Sequence, residues 1–206
     1  MQRSPAEFNQ LAMEVLSPLY PEVAEQIVYH IGITTGSCLD LGCGVGSLGL
    51  ALARITQLEV ILYDKSARML EFAQQYIRDN SLEFRVKTLE GDVHSIPLPD
   101  GTMDLAISRS SLFFWKDPVQ AFREIYRVLA PGGMSFIGGG FGNREIFREI
   151  DKKMVLKEPE WEKEYRKMVT KEKVSEYEDN LEQAGISDYE VIHDAVNFWI
   201  MIKKVD

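Results

Sequence analysis

At 206 residues, with 45% hydrophobic and 27% charged side chains, the chain has the length and apolar content of one globular domain. A formal net charge of −9 argues against extended binding to nucleic-acid backbones or anionic membrane surfaces, both of which need clustered lysine and arginine. The segment Met1 to Glu7 lacks the apolar core of a secretory signal, no run reaches the ~20 apolar residues of a membrane span, and Cys38 and Cys43 fit neither a disulfide framework nor a zinc site, so a cytoplasmic protein is expected.

Residues 5–34 read as helical, with Pro5, Pro18 and Pro21 marking starts or breaks. A first strand closes at Leu39, and the glycine-rich run Gly42-Cys43-Gly44-Val45-Gly46 follows Asp40. Leu48, Leu52 and Ile55 then recur at helical spacing. Glu59 to Asp64 is a second strand, again ending in an acid, and Ala67 to Asn80 is a helix with Asn80 as its terminator. Phe84 to Leu89 alternates as a third strand, and Gly91 to Gly101 is a loop. Met103 to Ser108 forms a fourth strand and Pro118 to Leu129 a helix; Pro131-Gly132-Gly133 is a tight turn before a fifth strand, Met134 to Gly138. Residues 141–184 are mostly helical, with one apolar stripe at Trp161, Tyr165 and Met168 and another at Val174, Tyr177, Leu181 and Ala184, ending at Gly185. Two last strands, Tyr189 to Ile192 and Asn197 to Ile202, are too close together for a parallel crossover and must be antiparallel.

Strands alternating with helices imply a parallel sheet covered on both faces, with ligands beyond the carboxyl ends of the strands. Asp40 and Asp64 stand at such ends. A glycine loop between a strand and a helix lets a ligand approach the backbone and meet the helix N-terminus. The loop alone leaves the ligand open. Read as Gly44-x-Gly46-x-x-Gly49, with Asp64 at a suitable distance, it also fits a nicotinamide-dependent oxidoreductase. A non-catalytic partner subunit that keeps the fold is a third reading.

These segments resemble the class I S-adenosylmethionine-dependent methyltransferases, in the broad group with the small-molecule and quinone enzymes. The resemblance runs motif by motif over about 35–140 and by layout over 170–206. It implies a single domain with a Rossmann-like, doubly wound, seven-stranded, mostly parallel sheet, closed by an antiparallel C-terminal pair and flanked by helices on both faces. It implies that Gly42, Cys43, Gly44 and Gly46 approach the methionine part of S-adenosylmethionine and that Asp40 helps place it through the loop. Asp64, with Lys65 beside it, matches the acid that takes both ribose hydroxyls. Asp92 matches the acceptor for the adenine amino group, and Val93 the residue that packs on the ring. Asp104 to Ser108 resembles the fourth-strand motif facing the reactive methyl, although Asp104 can equally be structural. Arg127 to Gly133 resembles the turn into the fifth strand.

The acceptor side is less explicit. Ser108, Arg109 and Phe141 are its candidates, with Arg109 able to clamp an anionic group or to sit in a surface salt bridge. Phe113, Phe114 and Trp115 are expected in the core of the following helix, and His94 as a loop histidine rather than a base. Gly138 to Gly142 permits close ligand approach or a hinge, and residues 1–34 and 141–170 are expected to cap the substrate as a lid. The Asn/Asp-Pro-Pro-Tyr signature of amino methylation on nucleic-acid bases is absent after the fourth strand, and no metal-ligand cluster is visible. The expected partner is therefore a small-molecule acceptor, without nucleic acid, metal or membrane insertion.

Overall fold

The computed structural model describes residues 3–205. In chain order the elements are α1 (Pro5–Glu14), α2 (Leu19–Ile31), β1 (Thr35–Leu41), α3 (Ser47–Ile55), β2 (Gln57–Asp64), α4 (Ala67–Asp79), β3 (Val86–Glu90), β4 (Met103–Arg109), α5 (Pro118–Val128), β5 (Leu129–Gly140), α6 (Arg144–Lys157), α7 (Trp161–Met168), α8 (Lys171–Gln183), β6 (Tyr189–His193) and β7 (Asn197–Ile202). They build one seven-stranded sheet of order β3-β2-β1-β4-β5-β7-β6. The pairs from β3 to β5 are parallel, and β7 runs antiparallel to both β5 and β6. The order reverses at β1, which has β2 on one side and β4 on the other. A crevice at the carboxyl ends of β1 and β4 follows from that reversal.

Alternation along the strands sends side chains to two apolar layers. Cys38, Leu105, Ile107, Phe136 and Trp199 meet α2, α3 and α4 on one face. Leu39, Leu41, Ala106, Ile137 and Phe198 meet α5 and α8 on the other. The helix starts have local causes. Ser4 and Glu7 form a reciprocal capping box ahead of Pro5, and Ser66, Asp117, Asn143 and Thr170 each accept a first-turn N–H. Both apolar stripes of the C-terminal region find partners: Trp161 is buried in the first layer, and Val174, Tyr177 and Leu181 in the second.

Four details differ from the sequence reading. Asn80 ends α4 without taking the left-handed conformation; its Nδ2 donates to the Tyr76 carbonyl at 2.7 Å, and Ser81 carries the positive φ of 53°. Pro131-Gly132-Gly133 lies inside β5: the strand pairs with β4 at Leu129 and again from Met134, while Gly132 N–H and Gly133 C=O bond to Lys204. Phe113 and Phe114 belong to a short 3-10 turn, Leu112–Phe114, and Phe114 is exposed. Finally, α2 is a packing helix of the sheet, with Leu19, Val23, Ala24 and Ile27 fully buried. No helix of the described residues is long and apolar enough to cross a membrane.

Candidate active site

The loop after β1 turns on three glycines with left-handed φ: Gly42 at +63°, Gly44 at +56° and Gly46 at +82°. Any side chain there would be strained. It would also collide, since a Cβ on Gly44 would lie 2.8 Å from the Phe8 ring and one on Gly46 2.6 Å from Leu62. Gly49, the third glycine of the dinucleotide-like spacing, has a different reason. It lets α3 approach β2, and its N–H donates to Asp40 Oδ2 at 2.9 Å. Close helix-to-strand packing is also what the third glycine of a dinucleotide fingerprint provides, so Gly49 does not separate the two cofactors.

Asp40 is 1% exposed. Burial pushes its carboxyl up to about 7 from 3.8, the Gly49 N–H pulls it back, and the charge of Asp64 adds to the rise. Asp64 ends β2 beside the loop. Its Oδ2 accepts from Gly44 N–H and its Oδ1 from Ser66 N–H, each at 2.9 Å. The same carboxylate thus ties the glycine loop to the start of α4.

Past β3, Asp92 is fixed by its neighbours. Its Oδ1 accepts from the His94 backbone N–H at 2.9 Å and meets the His94 ring at Nδ1. These contacts hold the Asp92 carboxyl below its ordinary value, the backbone bond most. His94 Nε2 accepts from Asp117 N–H at 3.2 Å, so Nδ1 carries the ring's proton and the histidine pins this loop to the start of α5. Tyr63 donates its hydroxyl to the Asp92 carbonyl at 2.8 Å, and its ring packs where a Gly91 Cβ would stand. Arg127 secures the rest of the loop. It donates to the carbonyls of Ile96 and Leu98 and pairs with Glu124 and Asp100. Tyr63 and Arg127 are positioning residues that no single-residue pattern marked. Val93 is partly buried against the second layer, and Lys65 is exposed.

The fourth strand separates the remaining candidates. Asp104 sits at its start, far along the strand from the loop. Its Oδ2 accepts from Ser37 N–H at 2.7 Å and Ser37 Oγ at 3.0 Å, joining β4 to β1; it is structural. Ser108 is fully buried, and its hydroxyl is 2.6 Å from Ser111 Oγ, which in turn donates to the Leu41 carbonyl. Alternation puts it on the sheet face opposite Arg109.

One small cavity is lined by Asp40, Gly42, Cys43 and Arg109, with Phe8, Tyr20 and Leu48 from three helices closing it. The aromatic pair was invisible in the sequence because Phe8 and Tyr20 lie far up the chain. The Arg109 guanidinium lies 5.8 Å from the Tyr20 ring and 5.5 Å from that of Phe141, and Nε donates to the Gly140 carbonyl at 3.0 Å. Among the described residues it makes no ion pair, so the surface salt bridge is not its role. Desolvation lowers its proton affinity. Cation–π contacts return about 0.5–2 kcal/mol each, and burying an ion without a counter-ion costs several kcal/mol. Arg109 keeps partial exposure to solvent, which reduces the cost of holding the cation there. Phe141, almost fully buried, is the wall behind it and packs edge-on to Phe147, Trp161 and Tyr165.

Comparison with known proteins agrees with this arrangement. Residues 39–137 match a family of methyltransferase domains. Over its whole length the chain is 40% identical to a Methanococcus maripaludis protein assigned as an S-adenosyl-L-methionine-dependent methyltransferase; the match covers 98% of that chain with a TM-score of 0.95. It is also 43% identical over 96 residues to the demethylmenaquinone methyltransferase of Lactiplantibacillus plantarum, covering 46% of this chain and 40% of that protein. Against 2-methyl-6-phytyl-1,4-hydroquinone methyltransferase 1 (chloroplastic) of Oryza sativa subsp. japonica it is 35% identical over 113 residues, covering 54% and 32%. The chain spans less than half the length of these curated relatives. A glycine loop with acids at neighbouring strand ends, an antiparallel pair closing the sheet and a full-length relative at this identity lead to one conclusion: the chain belongs to the S-adenosylmethionine-dependent methyltransferases.

Proposed function

We propose that this chain moves a methyl group from S-adenosylmethionine to a small-molecule acceptor. The observation that carries the reading is the grouping of Asp40, Asp64 and Asp92 around the glycine loop, at or just past the carboxyl ends of β1, β2 and β3. Each Asp64 oxygen already takes one backbone N–H. A carboxylate oxygen has two acceptor sites, so both remain able to accept the vicinal hydroxyls of a ribose. Asp92 has Oδ1 engaged by His94, leaving Oδ2 for the adenine amino group, with Val93 next to it for the ring. Gly42 and Cys43 line the cavity for the methionine part, with Gly44 held next to them by Asp64, and the Asp40 carboxyl in the same wall favours its cationic groups. Lys65, exposed next to Asp64, has the weakest support of the proposed contacts.

S-adenosylmethionine supplies, when bound, a methyl group that is already electrophilic. What remains for the chain is binding, alignment and exclusion of water, and alignment alone can remove ~7–11 kcal/mol of a barrier. Tyr63, His94 and Arg127 serve this by holding the Asp92 loop. The hydroquinone and demethylmenaquinone methyltransferases among the relatives support a small-molecule acceptor. Calorimetric titration tests the cofactor directly. S-adenosylmethionine and S-adenosylhomocysteine should bind and NADH should not; binding of NADH with no response to S-adenosylhomocysteine would overturn the reading.

A further inference from the structure

We infer that the methyl acceptor is a small carboxylic acid with an apolar body, whose carboxylate is received by Arg109. This rests on the methyltransferase reading and narrows its substrate.

Arg109 ends β4, and its Nε is spent on Gly140 of β5. That bond orients the guanidinium plane and leaves Nη1 and Nη2 without protein acceptors among the described residues. Two parallel N–H donors in a fixed plane match a carboxylate's two oxygens. The open part of the side chain faces the cavity that the glycine loop also lines. Asp40, across that cavity, is not its counter-ion. Among the described residues the two form no ion pair, and Asp40 accepts instead from the Gly49 N–H. The cation is therefore retained without an internal anion.

The surroundings supply the rest of the substrate's description. Tyr20 and Phe141 flank the guanidinium, and Tyr165 packs edge-on against Phe141 with ring centroids 5.0 Å apart. Next to one charge, this wall is apolar and aromatic. A neutral quinol would leave Arg109 unpaired, and a highly charged phosphate ester would bring an excess of negative charge against aromatic faces. The acceptor's carboxylate also lies on the β4–β5 side of the crevice, whereas the nucleoside acids Asp64 and Asp92 lie on the β2–β3 side.

The cofactor's own methionine carboxylate is the competing occupant, and the test separates the two. Matched fragments, phenylacetate against phenylacetamide and hexanoate against hexanamide, are titrated by ligand-observed NMR. The proteins are wild type, Arg109→Gln and Arg109→Lys, each with and without S-adenosylhomocysteine, whose own affinity is measured by calorimetry. The acids are expected to bind the wild type at least tenfold more tightly than the amides. Arg109→Gln should abolish that preference and Arg109→Lys retain part of it, with S-adenosylhomocysteine affinity changed less than tenfold in both. The inference is overturned if acids and amides bind alike, if no acid binds, or if the preference survives in Arg109→Gln. It is equally overturned if loss of the arginine weakens S-adenosylhomocysteine tenfold or more, which would assign Arg109 to the cofactor. Should Arg109→Gln fail to fold, the wild-type acid-to-amide ratio and the Lys variant decide. Failure of the wild type to bind S-adenosylhomocysteine would instead count against the methyltransferase reading, because acid preference is read independently in the cofactor-free protein.

Discussion

Asp40 is buried and Arg109 half-buried, and the two share a cavity wall without pairing. For Asp40 the cost of burial has a measurable pH dependence. Its carboxyl titrates near 7 in the folded chain against 3.8 as the ordinary value. Between those pH values the folded chain holds a proton that the unfolded chain has released, so this group makes stability fall as pH rises from about 4 to about 7. Asp40→Asn removes the titration while keeping an oxygen for Gly49. Its melting temperature relative to wild type should climb from pH 4 to pH 8, by a free energy on the order of 4 kcal/mol at most; a difference that stays flat across that range would contradict the assigned burial. The acids at this scale were legible because they punctuate strand ends. That Ser108 and Arg109 face opposite layers follows from the strand's period of two, which adjacency in sequence hides.

Among the elements, the β1–α3 junction shows one glycine pattern answering two different constraints. Gly44 and Gly46 are required by backbone conformation, whereas Gly49 is required by helix-to-strand distance. A Cβ at Gly49 would lie 2.9 Å from Asp40 Oδ2 and 3.1 Å from Val60, and it would collide with Leu62. Gly49→Ala should therefore cost ~1–3 kcal/mol through overpacking. Thermal melting checks this, and an unchanged midpoint would mean the junction is looser than described. The strands themselves, the antiparallel closing pair and most helix spans could be read from periodicity, whereas the seven-stranded sheet was implied by the family resemblance and its strand order came from the structure. The excursion inside β5 could not be read, since it depends on Gly132 and Gly133 bonding to Lys204, more than seventy residues away.

Across the whole molecule, the crevice is closed by elements held with unequal strength. α2 buries Leu19, Tyr20, Val23, Ala24, Ile27 and Ile31 in the first apolar layer, whereas α1 buries only Leu11 and Ala12. Its attachments are ion pairs of Arg3 with Glu158 and of Glu14 with Lys157, a Tyr76–Asn9 hydrogen bond at 2.8 Å, and the Phe8 ring on Gly44. Exposed ion pairs contribute about 0–1 kcal/mol each, so α1 should open before α2 does. Hydrogen exchange is expected to be faster over 5–14 than over 19–31 and to slow over 5–14 when S-adenosylhomocysteine is added. Equal protection of both helices, unaltered by the ligand, would contradict a lid role for α1. The sequence hints at the difference, since 19–31 carries a fuller apolar stripe than 5–14, and packing against the sheet enlarges it. Whether the Asp64 carboxylate holds the ribose of S-adenosylmethionine, as proposed, is read from calorimetry of S-adenosylhomocysteine on wild type and on folded Asp64→Ala. The variant should lose ~1.5–3 kcal/mol of affinity, the scale of hydrogen bonds to a charged group; unchanged affinity in the folded variant would rule that contact out.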